Sequence, residues 1–146
     1  MNITWKPPRS PHALIQESLW PDEWRILVSC LLLNQTTRKQ VDKVIDELFR
    51  VYPGPASMAM AKDEKLRRII RSLGMSNKRS ATLKRFSHEY MTKKWSSPLE
   101  LYGCGKYAED TWLIFCKGKW KQVTPKDHAL NNYHDYLTST EEQQNA

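Results

Sequence analysis

Residues 23–34, EWRILVSCLLLN, constrain the fold more than any other stretch. They are apolar nearly all round, so a helix there has no side to give to water and must lie at the centre of other helices. The neighbouring segments have the pattern needed to cover it. RKQVDKVIDELFRVY (38–52) repeats Val41, Val44, Ile45, Leu48 and Phe49 at helical spacing, and Pro53-Gly54-Pro55 ends it. ASMAMA and DEKLRRIIRSL (63–73) are predicted as two short helices, the second stopped by Gly74. NKRSATLKRFSHEYM (77–91) turns Leu83, Phe86 and Tyr90 inward. A short helix is predicted over Pro11–Leu19 with Ser10 as its N-cap. A last helix carries Leu130, Tyr133 and Leu137. The expected fold class is all-α, about eight or nine helices with no convincing sheet. Residues 1–10, rich in Pro and Lys/Arg, read as an extended arm, 11–138 as one helical domain, and 139–146 as a disordered tail.

At 146 residues the chain can bury a real core. No apolar run approaches a membrane span, and MNITWKPPRSP has no signal-peptide core. Cys30, Cys104 and Cys116 are odd in number and widely spaced. They form no CxxC or Cys/His cluster, so neither zinc nor an iron–sulfur cluster is expected, and a reducing compartment fits best. Cys30, inside the apolar helix, reads as core.

The net charge is +7 and the pI about 9.4, which suits an acidic partner. The charge is concentrated. Residues 62–94 hold eleven Lys or Arg against three acids. A solvated helix face and a phosphate-neutralising patch both explain it.

LYGCGKY (101–107) places Gly103 and Gly105 between two helical segments, with Ala108, Thr111, Trp112 and Phe115 on one face of the second. Such a tip can bring bare backbone N–H groups at a helix N-terminus close to a phosphate, with Lys106 adding a point charge. It can equally be a plain turn. Asp127 stands at the predicted start of the last helix. It reads either as an ordinary N-cap or as a carboxylate near helix N–H groups, aimed into a cleft.

PPRSPHALIQE, LLLNQTT, LYGCGKY and WKQVTPKDHALNNYHDYL together resemble the helix–hairpin–helix DNA glycosylase superfamily. Within it, they resemble the thymine glycosylase domains of the methyl-CpG-binding domain protein 4 group, over nearly the whole chain. The resemblance implies two helical lobes with the active site in the cleft between them. It implies Asp127 as the catalytic aspartate and Tyr107 and Gln16 as the pocket for a flipped pyrimidine. Gln35 would be the wedge that fills the gap in the base stack. Leu73 and Met75 would lie in the loop that touches the orphaned guanine. Gly103, Gly105 and Lys106 would hold the DNA backbone.

Two departures stand out. Relatives in that group carry arginine where this chain has Gln35, although glutamine occurs at a comparable place in the endonuclease III branch. Met75 replaces a leucine of similar volume. Tyr107 stands where bifunctional members carry a Schiff-base lysine, which implies base removal without strand cleavage. The implied partner is double-stranded DNA with a G·T or G·U mismatch. A monomer in the nucleus is expected, with no cofactor, metal or membrane. His128 and His134 read as structural residues. Two rival readings are a non-catalytic helix–hairpin–helix DNA-binding module and a glycosylase for adenine opposite oxidised guanine. The second rival branch normally carries the iron–sulfur cysteines.

Overall fold

The computed structural model describes residues 4–145. These form eight α-helices and no strand: α1 Ile15–Leu19, α2 Glu23–Leu32, α3 Arg38–Val51, α4 Pro55–Ala59, α5 Asp63–Ile70, α6 Ser76–Thr92, α7 Lys106–Phe115 and α8 His128–Gln144. Single 3-10 turns cover Arg71–Leu73, Pro98–Glu100 and Trp120–Gln122. No helix among the described residues is long and apolar enough to cross a membrane.

Helix α2 is central, as its composition demands. Asp22 starts it by accepting the Arg25 amide at 2.9 Å. Leu27 and Val28 then enter the larger apolar cluster, which also takes the inner faces of α3, α5 and α6. Ile26 points the other way, into a smaller cluster with Ile114, Phe115, Leu130, Tyr133 and Leu137. Helix α7 is shared likewise, giving Ala108 and Trp112 to the larger cluster. Two apolar clusters therefore meet along α2 and α7. The periodic residues of α3 and α8 are all buried.

Helix α1 departs from expectation. It begins at Ile15, not Pro11, and Ser10 is not its N-cap. The Glu17 carboxylate takes the Ser10 amide and hydroxyl at 2.6 and 2.8 Å and the Leu14 amide at 2.7 Å. Those bonds hold residues 10–14 as a loop, with Ala13 in the left-handed region. Within the arm, Met1–Ile3 lie outside the described residues. The rest packs on the domain: Trp5 lies against Gly118, and Pro8 accepts the Tyr133 hydroxyl at 2.7 Å. At the other end, α8 continues to Gln144, so 139–144 extend the last helix where a disordered tail was expected; Ala146 lies outside the described residues.

Candidate active site

Asp127 sits at the N-cap of α8. Its Oδ2 accepts the Leu130 amide at 3.0 Å, satisfying one of the orphan donors of the helix start. The cap uses one carboxylate oxygen only. The residue is exposed and lines a cavity of about 1130 Å³. Gln16, Gln35, Gly103, Gly105, Lys106 and Tyr107 line the same cavity. The N-cap and the cleft-facing readings of Asp127 are thus compatible.

Gln16 and Tyr107 are 91 residues apart in sequence and joined by a hydrogen bond. The buried Gln16 donates from Nε2 to the Tyr107 hydroxyl at 2.8 Å. The phenolic oxygen is thereby an acceptor, and its own hydrogen can still be donated. Burial, and next the nearby Cys30, push the Tyr107 phenol far above its ordinary range; Asp127 adds to this, while Gln16 and Arg38 oppose it. Tyr107 is therefore a neutral donor at any physiological pH. Cys30 is both core and cavity wall, and burial pushes its thiol up to about 12. Its neighbour Thr111 has a buried Oγ1 without a regular hydrogen-bond partner.

A second, smaller cavity of about 190 Å³ adjoins the hairpin, lined by Gln35, Met75, Lys78, Arg79, Tyr102 and Gly103 among others. Gln35 and Met75 hold left-handed backbone conformations, φ 60° and 45°. Such values are strained for residues with a Cβ. Both side chains are exposed.

Residues 28–145 match the family described as HhH-GPD superfamily base excision DNA repair protein. The chain belongs to this superfamily. A methyl-CpG-binding domain protein 4-like protein of Arabidopsis thaliana is 45% identical over 134 residues, 92% of this chain and 30% of that protein. A thymine/uracil-DNA glycosylase of Pyrobaculum aerophilum is 37% identical over 106 residues, 67% of this chain and 46% of that protein. This chain thus spans less than half the length of either relative. Among solved structures, a thermostable thymine-DNA glycosylase superposes with a TM-score of 0.63 at 26% identity, covering 67% of this chain and 48% of the other. The all-helical HhH-GPD fold agrees with the expected fold class.

The structure adds side-chain detail to three of these readings. Leu73 is only 5% exposed and belongs to the larger core cluster, so its side chain does not face a partner. Met75, two residues on, is 50% exposed. Lys106 is not a free point charge: its Nζ pairs with Asp110 Oδ2 at 2.5 Å and donates to the Thr124 carbonyl at 3.1 Å. The basic stretch 62–94 is not uniformly available either. Lys84 pairs with Asp63 at 2.7 Å, and Arg85 pairs with Glu89 at 3.1 Å. Arg79 is buried, with Nε on the Gly74 carbonyl at 2.9 Å. Lys62, Lys65, Arg71, Lys78 and Lys94 are exposed and make no ion pair among the described residues.

Sequence reasoning passed over Arg38. It lines the large cavity and ties α3 to the loop before α1 through the Ala13 carbonyl at 2.7 Å. Its i,i+4 partner Asp42 made it look like an ordinary helix-surface residue. His134 is structural, with Nε2 2.9 Å from the Trp120 carbonyl. His128 lines the cavity beside Asn132. No group of three or more His, Cys, Asp or Glu among the described residues could hold a metal ion.

Proposed function

We propose that this HhH-GPD chain is a monofunctional DNA N-glycosylase that removes thymine or uracil opposite guanine. It acts as a monomer on double-stranded DNA, in the nucleus, in base excision repair. The observation that carries the reading is the half-used carboxylate of Asp127 on the wall of the cavity that also holds the Gln16–Tyr107 pair. A helix cap alone has no need of such a cavity. The names of the Pyrobaculum relative and of the solved thymine-DNA glycosylase support the same reaction class.

The mechanism follows from the chemistry. A stacked base cannot be attacked, so it leaves the duplex, and a mismatched base is the least costly to extrude. The large cavity is the cleft that receives it. Gln16 and Tyr107 present amide and hydroxyl groups to the pyrimidine edge, with Tyr107 kept neutral as a donor. Gln35 and Met75, on strained loops, occupy the gap and face the orphaned guanine. Strained backbone of this kind persists where a side chain must project in a set direction. The Gly105 backbone and exposed lysines contact phosphates, which position the protein without reading sequence.

Breaking the N-glycosidic bond builds positive charge on the sugar, as in glycoside hydrolysis. Asp127 stabilises that charge and orients or deprotonates the attacking water. Strand cleavage would need an amine nucleophile. Tyr107 cannot supply one, and the cavity's Lys106 is tied to Asp110 and Thr124.

The test is single-turnover release of thymine and uracil from G·T and G·U duplexes. Asp127→Asn should lower release about a thousandfold while duplex binding persists. Wild-type binding without release of either base would favour the non-catalytic module. Strand cleavage before alkali would overturn the monofunctional assignment.

A further inference from the structure

The segment that delivers Asp127 to the cavity has few polar tethers. Residues 124–126, Thr-Pro-Lys, follow the Trp120–Gln122 turn and lead straight into the N-cap of α8. Among the described residues, one hydrogen bond ties this segment to the rest of the chain: Lys106 Nζ to the Thr124 carbonyl. Val123 and Pro125 are buried on either side, and Thr124 itself is exposed. Besides the packing of Val123 and Pro125, the tether of this loop's backbone is a lysine from the first turn of α7.

Within the protein alone, that lysine is oddly placed. A cation at a helix N-terminus opposes the helix dipole, and lysine preceding aspartate at i,i+4 is the weaker order of such pairs. Its partner explains the arrangement. The Asp110 side chain is 8% exposed, against 49% for Lys106. A carboxylate that deep needs a counter-charge. Asp110 in turn holds the ammonium group where it reaches across to Thr124.

We infer that Lys106 and Asp110 form a latch that sets the stance of Asp127, making Lys106 a positioning residue and not a phosphate contact. The inference rests on the glycosylase reading of Asp127. The latch fixes the path of the chain three residues before the carboxylate, and the Leu130 amide fixes the carboxylate from the other side. Small displacements of a catalytic group lower rates steeply, because the reacting geometry is narrow.

The two roles for Lys106 differ in what they change. A phosphate contact contributes to affinity and to its salt dependence. A positioning residue contributes to the rate once DNA is bound. The experiment uses Lys106→Met combined with Asp110→Asn, which removes the latch without leaving a buried charge unpaired. Asp110→Asn alone provides a second, milder variant should the double variant fail to fold, because the half-exposed Lys106 it leaves unpaired can turn to water. Lys106→Arg is the conservative rescue. The release rate at saturating enzyme should fall tenfold or more in the double variant and recover largely in Lys106→Arg. Duplex affinity and the slope of log affinity against log salt should stay unchanged.

A slope reduced by about one phosphate with an unchanged saturated rate would overturn the latch in favour of a direct DNA contact. So would an unchanged rate and affinity together. If wild type releases no base, the glycosylase reading fails instead. The latch is then read from hydrogen exchange at Leu130 and Asn131, whose amides bond to the Asp127 side chain and carbonyl. Faster exchange at those two amides in the double variant supports the latch, and unchanged exchange overturns it.

Discussion

Gly103 and Gly105 stand two residues apart in one hairpin and answer to different needs. Gly103 has φ +83°, and a Cβ there would come within 2.7 Å of Thr82 Cγ2 and 3.2 Å of Leu31 Cδ2. The protein itself requires that glycine, for backbone conformation and for the hairpin to lie close on α6 and α2. Gly105 has an ordinary extended φ of −123°, and a Cβ there would meet nothing within 4 Å. Nothing inside the chain requires it. Its bareness matters only to something that approaches from outside, at the N-terminus of α7. Identical residues in one motif thus separate into one that the fold requires and one that it leaves free, which the proposed function gives to the DNA backbone.

The comparison extends to Gln35 and Met75. Both share the left-handed region with Gly103, and both line the small cavity beside it. There the chain keeps a side chain where glycine would be less strained. On the proposed function, the side chain is what those positions supply.

The strongest test is Gly103→Ala. Left-handed strain and the Thr82 clash together should remove about 2–4 kcal/mol of folding stability, measured by urea unfolding. Adding Thr82→Ser takes away the clashing methyl and should return about 1 kcal/mol. A Gly103→Ala protein as stable as wild type would break the comparison. Gly105→Ala should do the reverse. Its stability should change by less than about 1 kcal/mol, while duplex affinity falls about tenfold, near 1.4 kcal/mol, in a binding titration at fixed salt. Equal losses of stability at the two glycines would erase the distinction. The smallest effect is expected for Gln35→Gly. Relief of backbone strain should raise the unfolding free energy by up to about 1 kcal/mol. The preference for mismatched over matched duplex should decline in the same variant. A variant that gains stability and keeps its preference would mean that Gln35 is not a wedge.

Much of the architecture was legible because it is local. The all-round apolar run of α2, the periodicity of α3 and the inward residues of α8 each follow from the spacing of neighbours along one helix. Asp127 was legible as an N-cap for the same reason. The start of α1 was not. Ser10 looks like a cap in sequence, but Glu17 captures its amide and hydroxyl, and the choice between those partners depends on how the arm packs. Leu73 and Met75 looked equivalent in SLGM, yet one faces the core and the other does not, because the 3-10 turn at Arg71–Leu73 and the left-handed Met75 break the helical period between them. Lys106 looked free because its second partner lies eighteen residues ahead, across a loop whose path no pattern predicts.

By itself, the sequence determined an all-helical chain built round α2, a glycine hairpin before α7, and a capping aspartate before α8. Each of these depends on neighbours within about one helical turn, where backbone geometry alone relates one residue to the next. Only the tertiary structure decided which hairpin glycine faces the protein, that Gln16 meets Tyr107, and that Lys106 reaches the Thr124 carbonyl in the loop leading to Asp127. Those contacts join residues far apart in the chain, and they exist only once packing of the two apolar clusters has brought α1, α7 and α8 around one cavity.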